Sequence, residues 1–94
     1  MHGYRFFEEY RDEGRKDSLN SVVAIDVGRG PFVQEGGVCY RAVCTDREKN
    51  EVGQRGVRMV LFNAEYLGTH CRRVSEERAR AIQPKLFEYL DTIA

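Results

Sequence analysis

Residues 75–93, SEERARAIQPKLFEYLDTI, constrain the fold more than any other stretch. Ala79, Ile82, Leu86, Leu90 and Ile93 recur at spacings of three and four, which lines them along one side of an α-helix. Ser75 is a good N-cap because its hydroxyl accepts from the unpaired amides of the first turn, and Glu76 and Glu77 suit the positive helix end. Pro84 interrupts the pattern. A proline inside a helix costs about 3 kcal/mol, because it removes one donor and its ring clashes with the preceding turn. The stretch is therefore expected to kink at Pro84, or to split into two short helices with Pro84 near the first turn of the second.

An apolar helical stripe must be buried against something, and the preceding sequence supplies strands. In NSVVAIDVGRGP, Val22, Val23, Ile25 and Val27 are β-branched, and Gly28, Gly30 and Pro31 stop the run. GGVCYRAVCTD alternates, with Val38, Tyr40, Ala42 and Cys44 expected to face the core and Cys39, Arg41, Val43 and Thr45 the other side. DREKNEVGQRG reads as a polar hairpin loop, and VRMVLFN returns as a third strand. EYLGTHCRRV is either a fourth strand, weakened by Gly68, or an irregular crossover. In YRFFEEYRDEG the spacing of Phe6 and Tyr10 fits a short helix, whereas the alternation of Tyr4 and Phe6 fits an edge strand. The predicted fold is α+β: a three- to four-stranded, mostly antiparallel sheet packed on the C-terminal helix, with a short N-terminal helix or edge strand.

At 94 residues the chain is expected to form a single domain, 1–94. Hydrophobic residues make up 41%, including five Tyr and five Phe, and the formal net charge is zero, so a modest core is expected rather than disorder. The longest apolar runs are four residues, Val22–Ile25 and Met59–Phe62, too short for a transmembrane helix. Three cysteines and no apolar leader suggest a cytoplasmic protein with reduced thiols.

The densest chemistry is THCRRVSEER, residues 69–78. A structural metal at Cys39, Cys44, His70 and Cys71 is disfavoured, because a separation of five in a strand sends Cys39 and Cys44 to opposite faces. No metal or cofactor is expected. Thiol catalysis at Cys71 lacks an orienting third group, and no C-x-x-C is present. Strand alternation would send His70 and Arg72 one way and Cys71 and Arg73 the other, leaving Cys71 with Arg73 near the start of the helix as one half-site. Gly28-x-Gly30 lacks a third glycine and a following helix, so it reads as a wide turn rather than a phosphate cradle. Asp26, Glu35 and Asp46 are the acid–base candidates, with an arginine partner the simpler explanation for Asp26.

Residues 55–80 hold six arginines against three glutamates. Twelve of the chain's fifteen cations are Arg, which suits carboxylate or phosphate recognition, but codon preference is the favoured explanation, and pairing with Glu76, Glu77 and other carboxylates accounts for the local excess. The candidate binding residues are Arg58, His70, Cys71, Arg72, Arg73 and Arg78. Apolar residues on both faces of the strands need two layers of cover, and one C-terminal helix supplies only one. The expected function is thus a non-catalytic binding or regulatory domain acting through protein contacts, as a homodimer. A nucleic-acid binder using the Arg-rich surface is the alternative, and a small enzyme or thiol-dependent protein comes third. No membrane partner is expected, and a small-molecule ligand is left open.

Overall fold

The computed structural model describes residues 2–10, 19–34, 37–45 and 57–93, with backbone alone at 19–20, 45 and 57–61. The elements run β1 (Tyr4–Tyr10), β2 (Leu19–Asp26), β3 (Phe32–Gln34), β4 (Gly37–Thr45), β5 (Val57–Asn63), α1 (Ala64–His70), β6 (Cys71–Val74), α2 (Glu76–Ile82) and α3 (Pro84–Ile93). The class is α+β, as expected. The six strands form one sheet in which every pair is antiparallel.

Register explains why six strands make a sheet only five wide. Cys39 pairs with both Phe32 of β3 and Asn63 of β5, and Ala42 pairs with both Ile25 of β2 and Val60 of β5. β2 and β3 therefore lie end to end along one edge of β4, while β5 follows the other. The excursion between them is the glycine turn. The amides of Val27 and Gly28 both donate to the carbonyl of Gly3, at 2.9 and 3.0 Å. A Cβ on Gly28 would stand 3.3 Å from the Gly3 Cα, and Gly30 has φ 73°, a conformation that disfavours other residues. Asp26 accepts from the Arg29 amide at 3.2 Å and pairs with its guanidinium at 3.4 Å. The turn reading and the arginine partner for Asp26 are both found; Glu35 and Asp46, like the polar loop after β4, lie outside the described residues.

Both faces of the sheet are covered. On one, Phe6, Val22, Ala24 and Val43 pack against Ala79 of α2 and Leu86, Phe87 and Leu90 of α3. On the other, Val23, Ile25, Ala42, Cys44 and Phe62 pack with Tyr66 and Leu67 of α1. Burial of a large apolar side chain is worth about 1.5–3 kcal/mol, so both clusters matter to stability. The helical segment splits as its sequence implied: Ser75 accepts from the Arg78 amide at 3.1 Å, α2 ends at Ile82, and Pro84 opens α3. Of the apolar stripe, Ala79, Leu86 and Leu90 are buried, whereas Ile93 is 49% exposed.

Three expectations need correction. The N-terminal segment is neither a helix nor an edge strand, because β1 lies between β2 and β6 in the interior of the sheet. Among the described residues the sheet has six strands rather than three or four. The second face is not left bare. Residues 64–70 form α1, which crosses that face from β5 at one edge to β6 at the other. Asn63 caps α1 by accepting from the Glu65 amide at 2.8 Å, and the Thr69 hydroxyl donates to the Glu65 carbonyl at 3.1 Å. These local bonds make a helix of a stretch whose glycine and short length hid it.

Candidate functional site

Two glutamates, side by side in β1 and therefore on opposite faces of the sheet, organise most of the polar chemistry. Glu8 is 3% exposed and Glu9 is 9% exposed. A carboxylate so placed keeps its charge only when donors replace the lost water.

Glu8 lies on the face covered by α2 and α3. It accepts from the Tyr10 hydroxyl and, at 2.5 Å, from Nε of Arg78 in α2. Arg72 stands directly opposite it on β6. Burial alone would push its carboxyl up, but the Tyr10 bond and the two arginines outweigh that and hold it below the usual glutamate value. The same carboxylate raises the Tyr10 phenol, first through the hydrogen bond and then through burial. Arg78 reaches Glu8 because the Ser75 cap orients the first turn of α2 over the strand. The contact is a clasp between helix and sheet.

Glu9 lies beneath α1. It accepts from the Tyr66 hydroxyl at 2.8 Å and from the Ser21 hydroxyl at 3.4 Å. Burial, then the bond to Glu9, pushes the Tyr66 phenol up to about 12. The Tyr66 ring stacks on His70, with centroids 4.4 Å apart and an interplanar angle of 8°, and meets Phe62 edge-on at 5.7 Å. His70 Nδ1 is 2.7 Å from the Thr69 hydroxyl oxygen. The same hydroxyl lies 3.1 Å from the Glu65 carbonyl and 3.3 Å from the Tyr66 carbonyl, so it ties the last turn of α1 to the His70 ring.

Cys71 follows His70 and pairs with Glu9 across the strands. Burial, then the nearby Glu9 charge, pushes its thiol up to about 12. A thiol of that kind is almost wholly protonated at neutral pH and is a poor nucleophile. Its alkylation at pH 7 is expected to run on the order of a thousandfold slower than that of a free cysteine, because the thiolate population falls in that proportion. Residue-resolved mass spectrometry of iodoacetamide-treated protein measures this rate, and labelling of Cys71 as fast as a free thiol would contradict it.

The six candidate binding residues thus do not form one site. Arg72 and Arg78 converge on Glu8. Cys71 and Arg73 share the opposite face by alternation, and that is the α1 face rather than the side carrying the start of α2. His70 is corrected too: it ends a helix instead of continuing a strand, and its ring meets Tyr66 and Thr69 rather than sharing a strand face with Arg72. Arg58 is placed by its backbone opposite Cys44. Farther along, Arg80 pairs with Glu76 at 3.0 Å and with Asp91 at 3.1 Å, and lies over the Phe87 ring at 4.3 Å.

The residues that sequence reasoning missed are Glu8, Glu9, Tyr10, Ser21 and Tyr66. The signal for Glu8 is present, since Tyr4, Phe6, Glu8 and Tyr10 alternate along one face and an acid among inward aromatics demands a cation. Two open depressions flank these clusters. One of about 430 Å³ is lined by Tyr4, Phe6, Arg73, Val74 and Glu76 among others. The other, about 340 Å³, is lined by Asn63, Glu65, Tyr66, Thr69 and His70. Among the described residues no group of three or more His, Cys, Asp or Glu is placed to hold a metal ion, and no helix is long and apolar enough to cross a membrane. Compared with known protein families, with curated proteins and with solved structures, the chain matches none at a significant level.

Proposed function

We propose that the protein is a small cytoplasmic binding or regulatory module that acts through protein contacts and associates with itself. The observation that carries this reading is the outer edge of β5. That strand runs seven residues, VRMVLFN, and among the described residues it pairs only with β4. An unpaired strand edge exposes a row of amides and carbonyls that a second chain satisfies by adding a strand. Val33, 75% exposed, and Val38, 44% exposed, face each other across the β3–β4 pair and add apolar surface. The interface argued from an uncovered sheet face no longer applies, because α1 occupies that face; the edge replaces it.

A nucleic-acid surface built on residues 55–80 has weaker support. Arg78 and Arg80 are engaged by Glu8, Glu76 and Asp91, and Arg72 and Arg73 alternate to opposite faces of β6. Phosphate binding needs several cations on one surface. Light scattering across the micromolar range tests the proposal. The expected result is a mass rising toward twice 10.9 kDa with concentration; a constant monomer mass would contradict it.

A further inference from the structure

β6 leaves β1 short of that strand's start, and two cations without partners stand at the fork. The β1–β6 ladder stops at the Phe6–Val74 pair. Ser75 is still extended, with φ −68° and ψ 156°, but α2 starts at Glu76 and carries the chain off the strand. Tyr4 therefore has no strand opposite it on that side among the described residues. Its backbone points there all the same. The Gly3 carbonyl is turned toward β2, where it accepts from the Val27 and Gly28 amides. Across a trans peptide the next amide points the opposite way, so the Tyr4 N–H faces the fork. Its carbonyl lies on the same side by the antiparallel pattern.

Arg5 and Arg73 flank this opening, and both line the depression of about 430 Å³ with Tyr4, Val74 and Glu76. Arg73 pairs with Phe7 across the strands. Arg5, two residues before Phe7, is thus its diagonal neighbour on the α1 face, at about 7–8 Å. Both arginines are exposed, and neither has a carboxylate partner among the described residues. Glu76 is held by Arg80 at 3.0 Å. Two like charges closer than the Debye length repel, and an anion between them relieves that. We propose that the fork binds an acidic peptide segment in extended conformation, which prolongs the line of β6 beside Tyr4 and pairs its carboxylates with Arg5 and Arg73. Guanidinium groups take phosphate as well as carboxylate, and the Tyr4 backbone decides between them. Its open amide needs an acceptor and its open carbonyl a donor. A peptide strand supplies both, whereas the phosphodiesters of a nucleic acid supply acceptors alone. The fork lies at the other side of the sheet from β5, so the site is separate from the self-association proposed above.

Backbone NMR of the full chain, titrated with an acetylated and amidated hexapeptide of alternating valine and glutamate, tests this. Alternation sets the probe's glutamates on one face. The expected result is a saturable shift of the Tyr4 amide and its neighbours, with residues 57–63 unmoved. Arg5→Gln and Arg73→Gln are each expected to weaken binding about threefold, as loss of one exposed ion pair does, and the glutamine form of the peptide about tenfold. Arg41→Gln, an exposed arginine on β4, should leave binding unchanged. No saturable shift at millimolar peptide, equal binding of the glutamine peptide, or arginine variants that bind like the native chain would overturn the proposal. Shifts along β5 in place of Tyr4 would overturn it in favour of edge pairing without charge recognition. Inorganic phosphate or an oligonucleotide moving Tyr4 as effectively as the peptide would overturn it in favour of an anion site. The mass reads self-association separately, so failure here leaves that reading standing.

Discussion

Replacing Phe87 with alanine is expected to destabilise the protein by about 3–5 kcal/mol, the range for truncating a buried aromatic. Phe87 is 2% exposed. Its ring lies 4.9 Å from that of Phe6, tilted by 42°, and the Arg80 guanidinium covers it at 4.3 Å. It therefore joins α3 to the middle of β1 and to α2 at once. Small domains have only about 5–15 kcal/mol of total stability, so the variant would be near the limit of folding. Urea denaturation followed by circular dichroism measures the loss. Phe87→Leu should retain most of the stability, because it keeps much of the volume. A loss under about 1 kcal/mol for the alanine variant would mean that α3 is not packed as described.

The second large effect concerns the clasp between Glu8 and Arg78. Arg78→Met removes the cation from a carboxylate whose side chain is 4% exposed, while the arginine side chain itself is 62% exposed. The loss is therefore mainly the desolvation left uncompensated at Glu8, about 1–3 kcal/mol, with Tyr10 and Arg72 keeping it from being larger. Removing both partners as Glu8→Met with Arg78→Met should recover part of that loss, since no charge is then left buried. The pH dependence has a definite sign. Glu8 is held below the usual glutamate value when folded, so its contribution is present above that ordinary value, about 4.3, and disappears as pH falls through the folded value. Asp91, held low by the hydrogen bond to Arg80, acts in the same direction. Thermal melts from pH 7 to pH 3 should show a steeper acid loss in the native protein than in Arg78→Met. Parallel curves would contradict the clasp.

Local signals made much of this fold legible. The split helix was readable because Ser75, the acidic first turn and Pro84 act within one turn of themselves, and the strand runs because β-branched residues ended at glycines. The central position of β1 was not readable. Its pattern YRFFEEY becomes a strand through β2 on one side and β6 on the other, and β6 lies more than sixty residues away. Helix α1 was hidden for a related reason, since a seven-residue stretch containing glycine has weak propensity and is stabilised by Tyr66 reaching Glu9. The six candidate residues came from a dense local string, and density along the chain is a poor guide across a sheet. Alternation split Arg72 from Cys71, and the acids that give these residues their roles lie in β1.

The central claim is that the outer edge of β5, open among the described residues, lets the chain associate with itself. Native mass spectrometry of the intact chain tests it most directly, because it counts subunits. The result predicted is monomer and dimer alone, at 10.9 kDa and twice that mass, with the dimer share rising with concentration. Monomer at every concentration would contradict it.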